Sequence, residues 1–190
     1  DFITDINSGC EGMEVNFTDV TTNSPDTWFW DFGDGNTSVL QDPSHIYNYV
    51  GNYDVNLTTS KGGLCVNTQI SYAAIKVFAN PDVQMTSDTT YACTIPLAVE
   101  FSDATINAVS WNWDFGNGFT STLASPSALY NNYGSYDISL TVSNTNGCSE
   151  IFFFNNLINI EKINVNISST ELSGCIPFDI DFIDSTNSIR

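Results

Sequence analysis

The sequence predicts an all-β chain of tandem antiparallel β-sandwiches, and three observations carry that expectation. The stretch Trp28-Phe29-Trp30-Asp31-Phe32-Gly33-Asp34-Gly35 returns as Trp111-Asn112-Trp113-Asp114-Phe115-Gly116-Asn117-Gly118, an offset of 83 residues. Short stretches of alternating apolar and polar residues are separated by Gly, Pro and Asn turn signals about every ten residues. No window places apolar residues three and four apart, as an amphipathic helix requires.

The elements follow in chain order. Met13, Val15 and Phe17 alternate with polar neighbours, as do Leu97, Val99 and Phe101, so each set predicts a half-buried strand. Polar turns, Thr21 to Asp26 and Ala104 to Ala108, lead into the tryptophan stretches. There Trp28, Trp30 and Phe32, and their counterparts Trp111, Trp113 and Phe115, fall on one face of an extended strand. The Gly33-Asp34-Gly35 and Gly116-Asn117-Gly118 segments supply the positive-φ positions of a tight turn. Thr37 to Leu40 and Thr120 to Leu123 read as short edge segments. After prolines at 43 and 126 come Gly51 to Thr58 and Gly134 to Thr141, the clearest strands, with Tyr53, Val55 and Leu57 facing in and Asp54, Asn56 and Thr58 facing out. A last strand closes each copy near Val77 and Ile160. Phe78-Ala79-Asn80-Pro81 joins the copies, and Pro81 makes this junction short and stiff.

The expected domains are therefore residues 1–80, 81–162 and 163–190. The last begins a third copy, because Cys175-Ile176-Pro177-Phe178 matches the segment from Cys93 to Pro96 and the strand after it. It ends before a tryptophan strand, which reads as a window on a longer array, or as a copy completed by another chain.

Composition narrows the function. A hydrophobic content of 42% is ample for packed cores, so intrinsic disorder is excluded. Against 22 acidic residues stand only Lys61, Lys76, Lys162 and Arg190, a net charge of −18. Such a surface repels phosphate, so neither nucleic acid nor an anionic membrane is an expected partner. No apolar run is long enough to cross a bilayer.

Cysteine spacing points to an oxidising, extracellular setting. Cys10 to Cys65 and Cys93 to Cys148 are both separations of 55 residues, which predicts one disulfide inside each copy and leaves Cys175 with a partner outside the chain shown. No histidine stands near these cysteines to make a zinc site.

Trp30-Asp31-Phe32-Gly33-Asp34-Gly35, then Pro43, His45, Tyr47, Gly51, Tyr53, Val55 and Leu57, resemble the polycystic-kidney-disease (PKD) domain signature, W-D-F-G-D-G, P-x-H-x-Y and G-x-Y-x-V-x-L. The second copy departs from it at Asn117 and Ala128. The resemblance implies immunoglobulin-like sandwiches of roughly seven strands. The expected fold motif is Trp28, Trp30, Asp31, Gly33, Gly35, Trp111, Trp113, Asp114, Gly116 and Gly118, and with one histidine and no G-x-S-x-G elbow no catalytic residue is expected and no cofactor other than calcium. Tandem copies with one cysteine pair each are similar to repeat regions of very large cell-surface adhesins of gliding Bacteroidota.

Two candidate sites compete with a packing role. His45 is the sole histidine and its counterpart is Ala128, so it reads as a turn-packing residue. Asp31 and Asp34 could contribute oxygens to a calcium ion, although no D-x-D-x-D-G loop is present. The expected function is a non-catalytic shaft of an extracellular adhesin or filament. Its expected partners are adjacent repeats of the same long chain, with neighbouring filaments or surface glycans. The alternative is an accessory polysaccharide- or protein-binding module of a secreted hydrolase.

Overall fold

The computed structural model describes residues 1–164, 167–169 and 182–184. Every regular element among them is a β-strand. The first copy contains β1 (Phe2–Thr4), β2 (Ser8–Cys10), β3 (Met13–Asp19), β4 (Thr27–Asp31), β5 (Thr37–Ser38), β6 (Ser44–Tyr47), β7 (Gly51–Lys61) and β8 (Cys65–Phe78). They form a three-stranded sheet, β1-β3-β6, and a five-stranded sheet, β2-β8-β7-β4-β5.

The second copy repeats this element by element. It holds β9 (Met85–Ser87), β10 (Tyr91–Ala92), β11 (Leu97–Asp103), β12 (Ala108–Asp114), β13 (Thr120–Ser121), β14 (Ser127–Tyr130), β15 (Gly134–Asn144) and β16 (Ser149–Ile160). Its sheets are β9-β11-β14 and β10-β16-β15-β12-β13, the same order shifted by eight strands. Finally β17 (Ile167–Ser169) pairs antiparallel with β18 (Phe182–Asp184). Cys175 and most of the expected third copy lie outside the described residues.

The alternation read from the sequence sets which faces are buried. In β3, Val15 and Phe17 are fully buried while Glu14, Asn16 and Thr18 are exposed, and in β11 Val99 and Phe101 do the same. Their faces meet Trp30, Phe32, Tyr47, Val55, Leu57, Ile75 and Val77 in the first core. Trp113, Phe115, Tyr130, Ile138, Leu140, Ile158 and Ile160 occupy the corresponding positions in the second. A buried tryptophan removes on the order of 200 Å² from water, about 5 kcal/mol of gross hydrophobic stabilisation as an upper bound.

One feature of the large sheet was not legible from alternation. β2 pairs in parallel with the end of β8, Ser8 opposite Lys76 and Cys10 opposite Phe78. β10 does the same on β16, with Ala92 opposite Ile160. The segment leading to each first cysteine is thereby fastened to the exit strand of its own copy.

By contact density the chain divides into two compact units. The first joins residues 1–82 with 105–109 and 142–150; the second comprises 83–104, 110–141 and the described residues from 151 onward.

Candidate functional site

The tryptophan turns share one plan in the two copies. Trp30 and Trp113 have no exposed surface, and each donates its indole N–H to a carbonyl on the following edge segment, Leu40 O and Leu123 O, both at 2.9 Å. Trp28 and Trp111 are only half-buried, where one-face alternation placed them in the core beside their neighbours. Their indole N–H groups reach outward to Asp19 Oδ2 at 2.8 Å and Asp103 Oδ2 at 2.7 Å, and this polar partner explains why the rings stop at the rim. Phe29, on the opposite face, is exposed.

Asp31 and Asp114 cap the turn: each Oδ1 accepts the backbone N–H two residues on, from Gly33 at 3.0 Å and Gly116 at 2.9 Å. Gly33 and Gly116 have φ of 82° and 67°, and a Cβ on either would overlap the carbonyl oxygen of Asp54 or Asp137. Gly35 and Gly118 also have positive φ, but a Cβ there would meet open space. Gly33→Ala is therefore expected to cost at least about 2 kcal/mol, from strained backbone plus steric overlap, and Gly35→Ala only about 1 kcal/mol. Chemical denaturation of the two variants checks the order.

Tyr47 and Tyr130 lock the turn from beneath, their hydroxyls donating to Phe32 O at 3.1 Å and Phe115 O at 3.2 Å. Burial, then the charge of Asp34, pushes the Tyr47 hydroxyl above the ordinary tyrosine range, so it stays a donor.

His45 and Asp34 differentiate the copies. His45 stacks on Phe32 with ring centroids 4.2 Å apart, and its Nε2 lies 2.8 Å from Asp34 Oδ2. Asp34 also accepts the Asn36 backbone N–H and side-chain amide, both at 3.0 Å. Burial raises the Asp34 carboxyl, but the hydrogen bonds from Asn36 and His45 outweigh it and hold it below its ordinary value of 3.8. In the second copy Asn117 instead donates to Leu129 O at 3.1 Å, a bond between neutral groups.

A carboxyl lowered in the folded state contributes stability that is present above its unfolded value and is lost as pH falls through the folded one. Wild type should thus lose stability relative to Asp34→Asn as pH drops from about 5 to below 3. Thermal melts of both proteins across that range check this, and the matching Asn117→Ala pair should show no such convergence.

No group of three or more His, Cys, Asp or Glu side chains among the described residues is placed to hold a metal ion. The candidate calcium ligands Asp31 and Asp34 both direct oxygens at turn N–H donors.

The expected cysteine pairing is overturned. Cys10 bonds to Cys148, with Cα atoms 5.6 Å apart and a sequence separation of 138, while Cys65 and Cys93 are free thiols. The reason is strand geometry. Cys10 sits opposite Phe78, the last residue of β8, whereas Cys65 is the first of that 14-residue strand. At about 3.3 Å per residue the two are roughly 40 Å apart, far beyond the reach of a disulfide. Cys93 and Cys148 stand at opposite ends of the 12-residue β16 in the same way. Equal spacing of 55 residues reports the repeat, and the bond joins the first cysteine of one copy to the second cysteine of the next.

Around that bond the junction is tied down. Asn144 Nδ2 donates to Ala79 O at 2.9 Å, Asn80 N–H donates to Glu11 Oε2 at 3.1 Å, and Pro81 is buried. The linker is held by hydrogen bonds as well as by its proline. Sequence reasoning missed this function of Glu11 and Asn144.

The family model described as PKD domain matches residues 1–75 and again 78–152. Among solved structures, the PKD1 domain of the Vibrio cholerae metalloprotease PrtV is 31% identical, over 44% of this chain and 99% of that one, with a TM-score of 0.37. The PKD1 domain of Vibrio anguillarum Epp is 27% identical over 43% of this chain and 95% of that one, with a TM-score of 0.36. Fibronectin(III)-like modules of Clostridium thermocellum CbhA are similar over 85% of this chain and 95% of that one, at 8% identity and a TM-score of 0.39. PKD domains are typically found in extracellular proteins. No helix among the described residues is long and apolar enough to cross a membrane. With both copies matched by the family model and both built on the same tryptophan turn, the chain belongs to the PKD domain family.

Proposed function

We propose that this chain is a non-catalytic structural segment, the shaft of an extracellular adhesin or filament of tandem repeats. The observation that carries the reading is the Cys10–Cys148 bond, which joins consecutive copies instead of bracing each separately. A link between copies adds nothing to a binding surface but resists extension of the chain. The charge of −18 keeps neighbouring shafts apart.

Exposed aromatics argue against a repeated sugar-binding platform. Tyr49, Tyr72 and Phe119 are 76%, 77% and 65% exposed, but their counterparts are Asn132, Asn155 and Asn36. An accessory module of a secreted hydrolase is the second reading, favoured by the 31% identity to a domain of a metalloprotease.

Replacing both copies, in the protein that carries them, by an unrelated rigid spacer of equal length separates the two. The shaft reading expects adhesion to persist and to fall when the spacer is shortened. Loss of adhesion with the full-length spacer, or retardation of the chain in native gels containing polysaccharide, would favour the binding module and sink the shaft. Calcium is tested on the chain with both copies present: a melting temperature that rises with calcium in wild type, but not in Asp31→Asn with Asp34→Asn, would establish a cation role for these residues.

A further inference from the structure

The hairpin ends of the two copies are matched in sequence position but differ in cover. Cys148 has no exposed surface, and Thr105 and Asn144 are each 8% exposed. Their counterparts 83 residues earlier, Cys65, Thr22 and Lys61, are all exposed. Leu64 and Val66, flanking Cys65, are 90% and 63% exposed. Beside Cys65 lies an open groove of about 460 Å³, lined by Thr21, Pro25, Thr59, Lys61 and Val66 among others. Within the first compact unit, the corresponding hairpin of the second copy is covered by the exit end of the first. There Cys10 bonds Cys148 and Ala79 O receives Asn144.

The unused first cysteine is prepared in the same way. Cys93 follows β10, which registers Ala92 on Ile160, just as Gly9 registers on Val77 immediately before Cys10. Cys93 therefore occupies the place of Cys10, and Cys65 the place of Cys148.

We propose that Cys65 and Cys93 are the two open halves of a staple that recurs along the protein. Cys93 bonds the second cysteine of a copy that follows, and Cys65 bonds the first cysteine of a copy that precedes. The occupant of the groove beside Cys65 is the exit end of another copy of this same repeat. The inference deepens the shaft reading and rests on it for the existence of flanking copies. Cysteine pairing then runs in one direction, first cysteine to next copy's second, so consecutive copies are bonded in order.

Closing each staple requires a disulfide oxidant, either a protein disulfide or oxidised glutathione. The hairpin thiolate attacks the oxidant, forming a mixed disulfide and releasing one thiolate. The first-cysteine thiolate of the preceding copy then attacks the protein sulfur, forms the bridge and expels the second. Two protein thiols are oxidised, one oxidant disulfide is reduced to two thiols, and the two protons lost by the protein thiols end on the thiolates expelled from the oxidant.

The test uses the native protein, extracted in iodoacetamide and mapped without reduction. An Asp-specific protease is needed, because four Lys and Arg leave few tryptic sites. The expected result is Cys65 and Cys93 each bridged to the complementary cysteine of another copy, with Cys10–Cys148 intact. Alkylated Cys65 or Cys93, a Cys65–Cys65 bridge, or the pairs Cys10–Cys65 and Cys93–Cys148 would overturn the proposal. Reduced intact mass separates it from the shaft reading. A short chain joined to its neighbours by Cys65–Cys93 bridges keeps the staple and removes the continuous array. A long chain with both thiols alkylated keeps the array and removes the staple.

Discussion

Trp30→Ala is expected to destabilise the first sandwich by about 3–5 kcal/mol, and Trp113→Ala the second by a similar amount. Both rings have no exposed surface and sit among aromatic neighbours: Trp30 lies 5.4 Å from Phe17 and 6.4 Å from Phe32, and Trp113 lies 5.6 Å from Phe101 and 5.9 Å from Phe115. Removing the ring leaves a cavity between the two sheets and deprives the Leu40 or Leu123 carbonyl of its donor. A sandwich of some eighty residues has only about 4–12 kcal/mol of net stability, so one such change brings it to the edge of unfolding. Trp28→Ala provides the contrast. That ring is half-buried and held by Asp19 at the rim, so its loss should cost less than that of Trp30. Denaturant titration followed by tryptophan fluorescence reads all three variants. Equal losses for Trp28→Ala and Trp30→Ala would contradict the assignment of Trp30 as the core anchor.

The paired variant Cys10→Ser with Cys148→Ser carries the other large effect. A loop of 138 residues is closed by this bond. On the chain-entropy model its closure restricts the unfolded ensemble by about 5 kcal/mol. The loop contains most of both copies, so the loss should appear in the unfolding of each. Wild type should also be weakened by dithiothreitol, while the double variant should not respond to it. A variant with the midpoint of oxidised wild type would show that the bond adds no stability.

The core was legible in the sequence because burial in a sandwich has period two, and Val15, Phe17, Val55 and Leu57 obey it. The family was legible because glycine and aspartate at the tryptophan turn answer to backbone geometry: only glycine avoids the Asp54 carbonyl at position 33. The half-burial of Trp28 was not legible, since alternation reports the face of a strand and not how far along it the opposing sheet extends. Spacing misled at the cysteines, because a tandem repeat makes every within-copy separation equal whatever the bonds are. The information was nonetheless present. From Cys10 the chain runs along β3, back along β4, and along β7 to the hairpin, so counting reversals puts Cys65 at the far end of its copy. What no count supplies is the neighbour that receives each cysteine, because that depends on packing between elements 138 residues apart.

Pulling the chain from its two ends in a force spectrometer, with and without reductant, tests the central claim most directly. With Cys10 bonded to Cys148, the 138 residues between them stay closed after the sandwiches unfold, and reduction releases them in a single step of about 45–50 nm. Two separate steps of about 19 nm, the length of 55 residues each, would instead mean a bond inside each copy and would contradict the account.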